Sequence, residues 1–125
     1  DTYQTASNAE FGDPPLVSIL QLMRNWDNYD GRRISVEGLY SGNLDNHEDL
    51  SIVFRYFITC CAADAMPVGI VMAKKTDSEL SDNDWVRARG KVRINKLDGY
   101  DIFYMDIEAI EKREKPHKNT AYVFQ

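Results

Sequence analysis

The chain has 125 residues, a formal net charge of -5, and 43% hydrophobic and 28% charged residues. That length fits one domain with a single core, and the balance excludes a disordered or fibrous chain. The net acidity argues against general polyanion binding. No apolar run approaches the roughly 20 residues that span a bilayer. Residues 1–15 lack the basic start and apolar centre of a signal peptide, so the chain as given is expected to be soluble. A start at Asp1 rather than Met is expected of a piece of something longer.

Residues 1–13 read as a flexible polar tail or linker, and 14–125 as a single domain. The domain opens with helix chemistry: Asp13 as N-cap, Pro14 at the first helical position, and Gly31 as the stop. Between them Leu16, Ile19, Leu20, Met23 and Trp26 fall on one helical face. One amphipathic helix is expected there.

After Gly31 the period changes to two. Ile34, Val36 and Tyr40 alternate with Arg33, Ser35 and Glu37. The acidic turn segment NLDNHEDL leads to SIVFRYFITCC, whose density of β-branched and aromatic residues suits a strand buried on both faces. CAADAMP interrupts, because Pro67 cannot donate to a ladder. VGIVMA is a short apolar strand, and KKTDSELSDND a polar connection. WVRARGKVRI alternates most clearly: Val86, Ala88, Gly90, Val92 and Ile94 on one face, Arg87, Arg89, Lys91 and Arg93 on the other. Asp98-Gly99 signals a hairpin. A last long strand follows, with Phe103, Met105, Ile107 and Ala109 facing one way, and AYVFQ reads as a terminal edge strand.

One helix followed by about five strands, with Gly38 and Gly90 inside strands as barrel corners require, defines the expected fold class. It is mainly β: a small OB-like five-stranded barrel preceded by one N-terminal amphipathic helix. A sandwich is the alternative.

Both cysteines of the chain, Cys60 and Cys61, are adjacent. Two thiols are too few for a disulfide framework. In a continuous strand their side chains point to opposite faces, and one packs into the core as a small hydrophobe. A loop beginning at Cys60 would let both thiolates reach one zinc or copper(I) ion, with Asp64, Met66, His47 or His117 as further donors. A redox pair is the third reading. Asp64 otherwise serves as a turn residue bonding nearby amides. His47 and His117 read as solvated surface residues, and neither shows the pairing of a helical metal site.

The stretches LVSILQLMRNWDNYDGRRISVEGLYSG, FRYFITCCAADAMPVGIVM, WVRARGKV and AYVF together resemble the C-terminal domain of the YcgQ-type bacterial membrane proteins of unknown function, a two-component permease subunit family. The resemblance covers residues 14–125, and Cys60-Cys61-Ala62-Ala63-Asp64-Ala65 is its most specific part. It implies a soluble domain, expected on the extracytoplasmic side, of a membrane-anchored accessory subunit. It also implies that the membrane segments lie outside this chain and that a permease subunit is the partner. It carries no catalytic assignment. A zinc ion or a partner bound through Cys60, Cys61 and Asp64 is the function this reading expects, and no other cofactor is implied.

A function of another class rests on Arg87, Arg89, Lys91 and Arg93, four cations on one strand face that could track a single-stranded nucleic acid. Tyr40, Phe54, Tyr56, Tyr100 and Tyr104 would supply stacking rings. Against it, Glu37, Asp106 and Glu108 on neighbouring strands could pair with the stripe. The sequence lacks a Gly-rich phosphate loop, G-x-S-x-G and H-E-x-x-H, so no enzyme is expected.

Overall fold

In a computed structural model of the chain, residues 14–44, 46–58, 66–74, 79–115 and the backbone of 122–124 are described. Two short helices, α1 (Ile19–Arg24) and α2 (Trp26–Tyr29), precede the strands. These are β1 (Arg33–Ser41), β2 (Leu50–Ile58), β3 (Met66–Ala73), β4 (Trp85–Leu97), β5 (Tyr100–Lys112) and β6 (Tyr122–Phe124).

The helix starts later than its sequence pattern suggests. Pro15 accepts from the Ser35 amide and Val17 donates to the Ser35 carbonyl, both at 2.8 Å, so this segment runs beside β1 as an extended chain. Ser18 then takes the N-cap, its hydroxyl accepting from the Gln21 amide at 3.0 Å. Asn25, at φ -129° and ψ 40°, separates the two helices. The buried positions are accordingly Val17, Ile19 and Leu22, while Leu16 and Trp26 stay about half exposed. The expected Leu16–Trp26 stripe is therefore not the core face.

Strands β1 to β5 close into a barrel in the order β1-β4-β5-β3-β2, with β1 and β2 pairing at the seam. Among the described strands, β3 with β5 and β2 with β6 run parallel and the other pairs antiparallel. Register partners can be followed around the barrel from Ser41 through Ile52, Val71, Tyr104 and Arg93. They return to β1 level with Gly31, ten residues before the start, where the Gly31 amide bonds the Val92 carbonyl. Such a stagger gives the strands the tilt that closure needs. This order, with β1 shared between β4 and β2, is that of an OB barrel.

The interior is apolar and closely filled: Val36, Val53, Ile70, Val86, Val92 and Met105 are fully buried. Gly90 lets β4 pass over β5 there, since a Cβ would run into the Asp106 carbonyl oxygen and sit 2.9 Å from the Met105 Cγ. Opposite Arg89 and Gly90, β5 carries a bulge: Arg89 pairs with Ala109 but Gly90 with Ile107, leaving Glu108 as the extra residue. Beyond the bulge the inward set shifts by one, so Ile110 rather than the expected Ala109 packs on the core. Pro67 does not interrupt β3 as expected. It lies in the first part of that strand, opposite Tyr56 and before the β5 pairing starts at Ile70, where a missing N–H costs no ladder bond on that side.

Candidate functional site

Strands β2 and β3 run antiparallel up to the pair Phe57 and Met66. Cys60, Cys61 and Asp64, which follow β2 and precede β3 in the chain, lie outside the described residues, as does His117. Of the other candidate donors, Met66 is 64% exposed at the start of β3. His47 belongs to the β1–β2 connection and is not the freely solvated residue its setting suggested. Its Nε2 lies 2.9 Å from the Asp98 carboxylate in the β4–β5 turn, tying two loops of the barrel together. Among the described residues no group of three or more His, Cys, Asp and Glu side chains could hold a metal ion.

The basic stripe does lie on the outer face of β4, where the alternation puts it. Its charges are largely matched. Arg87 donates to Glu37 at 2.7 Å, and Arg93 meets Asp106 at 3.1 Å while lying 5.1 Å over the Tyr104 ring. Glu108, the third expected partner, takes two hydrogen bonds from Arg33 of β1. That Arg33 hydrogen bond, joined by the positive charges of Arg33 and Arg89, keeps the Glu108 carboxyl below its ordinary range. Lys91 has no ion pair among the described residues. The expected stacking rings scatter: Tyr40 is in the core, Phe54 is buried, Tyr104 is covered by Arg93, and Tyr100 is 75% exposed.

The burial of β2 on both faces, as its composition leads one to expect, comes from a cluster outside the barrel across β1, β2 and β4, whose partners on β1 and β4 the sequence reading did not name. Leu39, Phe54 and Trp85 form a second small core, with Ile52 and Tyr56 packed against it. The Trp85 indole N–H donates to Glu37 at 3.0 Å, so Glu37 serves Trp85 and Arg87 at once. The Arg55 guanidinium lies 5.7 Å from the Trp85 ring centre, and burial lowers its pKa from the ordinary arginine value. The signal was present in the consecutive large residues of VFRYF, which a strand must split between two apolar faces.

A shallow groove of about 290 Å³ is lined by Trp26, Ile94, Asp101, Ile102 and Phe103. It lies where α2 meets the β4–β5 hairpin and explains why Trp26, left out of the core, remains half exposed. No helix among the described residues is long and apolar enough to cross a membrane.

The family model of the DUF1980 C-terminal domain matches residues 2–125, in agreement with the YcgQ-type resemblance. No curated protein matches the chain. Among solved structures, one similar chain is assigned as an aspartyl-tRNA synthetase from Leishmania major Friedlin, at 8% identity and a TM-score of 0.49. The match covers 89% of this chain but 21% of that one, so this chain spans about a fifth of its length. An OBody bound to hen egg-white lysozyme is 21% identical over 70% of this chain and 85% of its own, with a TM-score of 0.45. A small single-stranded DNA-binding protein from Streptomyces coelicolor is 12% identical over 66% of this chain and 94% of its own, with a TM-score of 0.35. The OB assignment rests on the barrel's own strand order.

Proposed function

The chain belongs to the DUF1980 C-terminal domain family, a family of unknown function, and from that premise we propose that it is a non-catalytic binding domain. In this reading it belongs to a membrane-anchored accessory subunit, stands on the extracytoplasmic side, and works beside a permease subunit. Its ligand contact is the segment Cys60–Ala65, which takes a zinc ion through Cys60, Cys61 and Asp64. The observation that carries this reading is the pairing of Phe57 with Met66. β2 ends at Ile58 and the antiparallel β3 begins at Met66, so both thiols and the carboxylate belong to the segment 59–65 that joins these two strands. In this reading the two thiols sit in that connection and not in a continuous strand, where adjacent residues would face opposite ways. Two thiolates and a carboxylate are a donor set that suits zinc, with a fourth position for water or a partner group.

The test is native mass spectrometry of the reduced, metal-stripped 125-residue chain titrated with zinc, beside the Cys60→Ser/Cys61→Ser variant. One retained ion in the wild type alone is expected. Equal retention, or none, in both folded proteins would overturn the zinc reading. Permease association is tested separately, by co-purification of the tagged domain with the permease subunit.

The basic strand supports nucleic-acid binding less. Arg87 and Arg93 already hold carboxylates, and the candidate rings do not form one open platform. We assign the stripe to cohesion of the barrel wall.

A further inference from the structure

The barrel is not sealed along its β1–β2 seam. The two strands pair only from Leu39 opposite Phe54 to Ser41 opposite Ile52. Further along, β1 turns its free edge to Pro15–Val17, which bonds Ser35 on both its amide and its carbonyl. The edge of β2 at Tyr56–Ile58 is taken by β6, running parallel over three residue pairs. That ladder is short, and parallel pairs are slightly weaker per residue than antiparallel ones. Residues 113–121 separate β6 from β5, nine residues that reach up to about 30 Å when extended.

We propose that β6 is an exchangeable strand through which two copies of this chain associate, each lending Tyr122–Phe124 to the β2 edge of the other. The second copy is the favoured occupant because the edge already receives this backbone in this register. An identical segment on a neighbour fits it without any new contact. The same end of the barrel also carries surface suited to burial, on β3 and β5. Met66, opposite Phe57, is 64% exposed, and Tyr100 is 75% exposed. Extending the β3–β5 register by three residues sets Tyr100 level with Pro67, so both apolar side chains belong to the same end of the barrel as β6. Exposed apolar side chains on β3 and β5, at the barrel end that also carries a short edge strand, are features of a self-association surface.

The test measures mass by light scattering across a concentration series of the 125-residue chain, then of a chain lacking residues 122–125. A dimer that grows with concentration is expected for the first, and at least about tenfold weaker association for the second. A folded Val123→Pro variant, which breaks the strand without shortening the chain, should behave like the truncation. A synthetic peptide of residues 118–125 should dissociate the wild-type dimer whether or not either variant folds. A monomer at every concentration, a dimer that survives truncation in a folded chain, or a dimer indifferent to the peptide would each overturn strand exchange.

Discussion

Arg33 grips Glu108 through two hydrogen bonds of 2.6 Å, joining β1 to the bulge of β5 across the intervening β4. The bulge gives this pair its geometry, because the extra residue projects Glu108 toward a strand two places away. Two parallel N–H donors to one carboxylate is the stronger form of a surface ion pair.

This pair makes stability fall in acid. The Glu108 carboxyl is held below its unfolded value of 4.5 by the Arg33 hydrogen bond first, with the charges of Arg33 and Arg89 adding to it. A lowered carboxyl pKa contributes stability fully above the unfolded value and loses it as pH falls through the folded one. Thermal melts of wild type and Glu108→Gln should therefore differ at neutral pH and converge as pH drops below the ordinary carboxylate range. Both side chains are more than a third exposed, so the neutral-pH difference should not exceed about 1 kcal/mol. A gap that persists unchanged in acid would show that the pair is not its source.

Gly90 should tolerate no side chain. A methyl group there meets the backbone of Asp106, which cannot swing aside as a flexible side-chain end can. Gly90→Ala is expected to cost about 1–3 kcal/mol or more in urea denaturation. Gly99→Ala makes the useful contrast. A Cβ there has open space around it, and only its φ of 86° is strained, so it should lose about 1 kcal/mol. Equal losses at the two sites would argue against the close approach of β4 to β5.

How far these features can be read from the sequence differs from element to element. The alternation of Val86, Ala88, Gly90, Val92 and Ile94 reappears in their burial, because a strand without irregularity keeps a strict period of two. Asp98 and Gly99 signal the β4–β5 hairpin and adopt φ of 53° and 86°, as a two-residue turn of the favoured hand demands. The β5 bulge has no local signal, since Glu108 becomes the extra residue only through its partners on β4, and Ala109 was misassigned for that reason. The helix start was misplaced because Pro15 and Val17 gain more by bonding Ser35 on β1 than by adding a turn to α1. The candidate site is legible only as chemistry: two thiols and a carboxylate in one short segment. Its flanking strands are legible too, in SIVFRYF and VGIVMA, whereas their antiparallel pairing with each other is not encoded in composition.

Trp85 should be sensitive in two separable ways. Trp85→Phe removes the N–H that donates to Glu37 but keeps most of the apolar contact with Leu39 and Phe54. A loss of about 1 kcal/mol is expected, since Arg87 still satisfies the carboxylate. Trp85→Ala also empties the outer core, for about 3–5 kcal/mol. If the two variants melted together, the indole hydrogen bond and not the packing would be the dominant contribution.

The basic stripe yields the prediction that separates its two readings. If its cations hold the barrel wall, Arg87→Ala leaves Glu37, only 16% exposed, without its guanidinium partner. Chemical denaturation should then register a loss of about 1–3 kcal/mol, chiefly from that carboxylate. Lys91→Ala, on the same face but with no ion pair among the described residues, should cost within about 0.5 kcal/mol. A nucleic-acid groove predicts another pattern: both variants stay near wild type in stability, and both weaken salt-sensitive binding of a mixed oligonucleotide pool. Fluorescence anisotropy at low salt is expected to show no such binding. Binding that falls equally with either substitution would return the stripe to recognition, since a phosphate backbone senses Lys91 as readily as Arg87, whereas of these two cations it is Arg87 that holds Glu37.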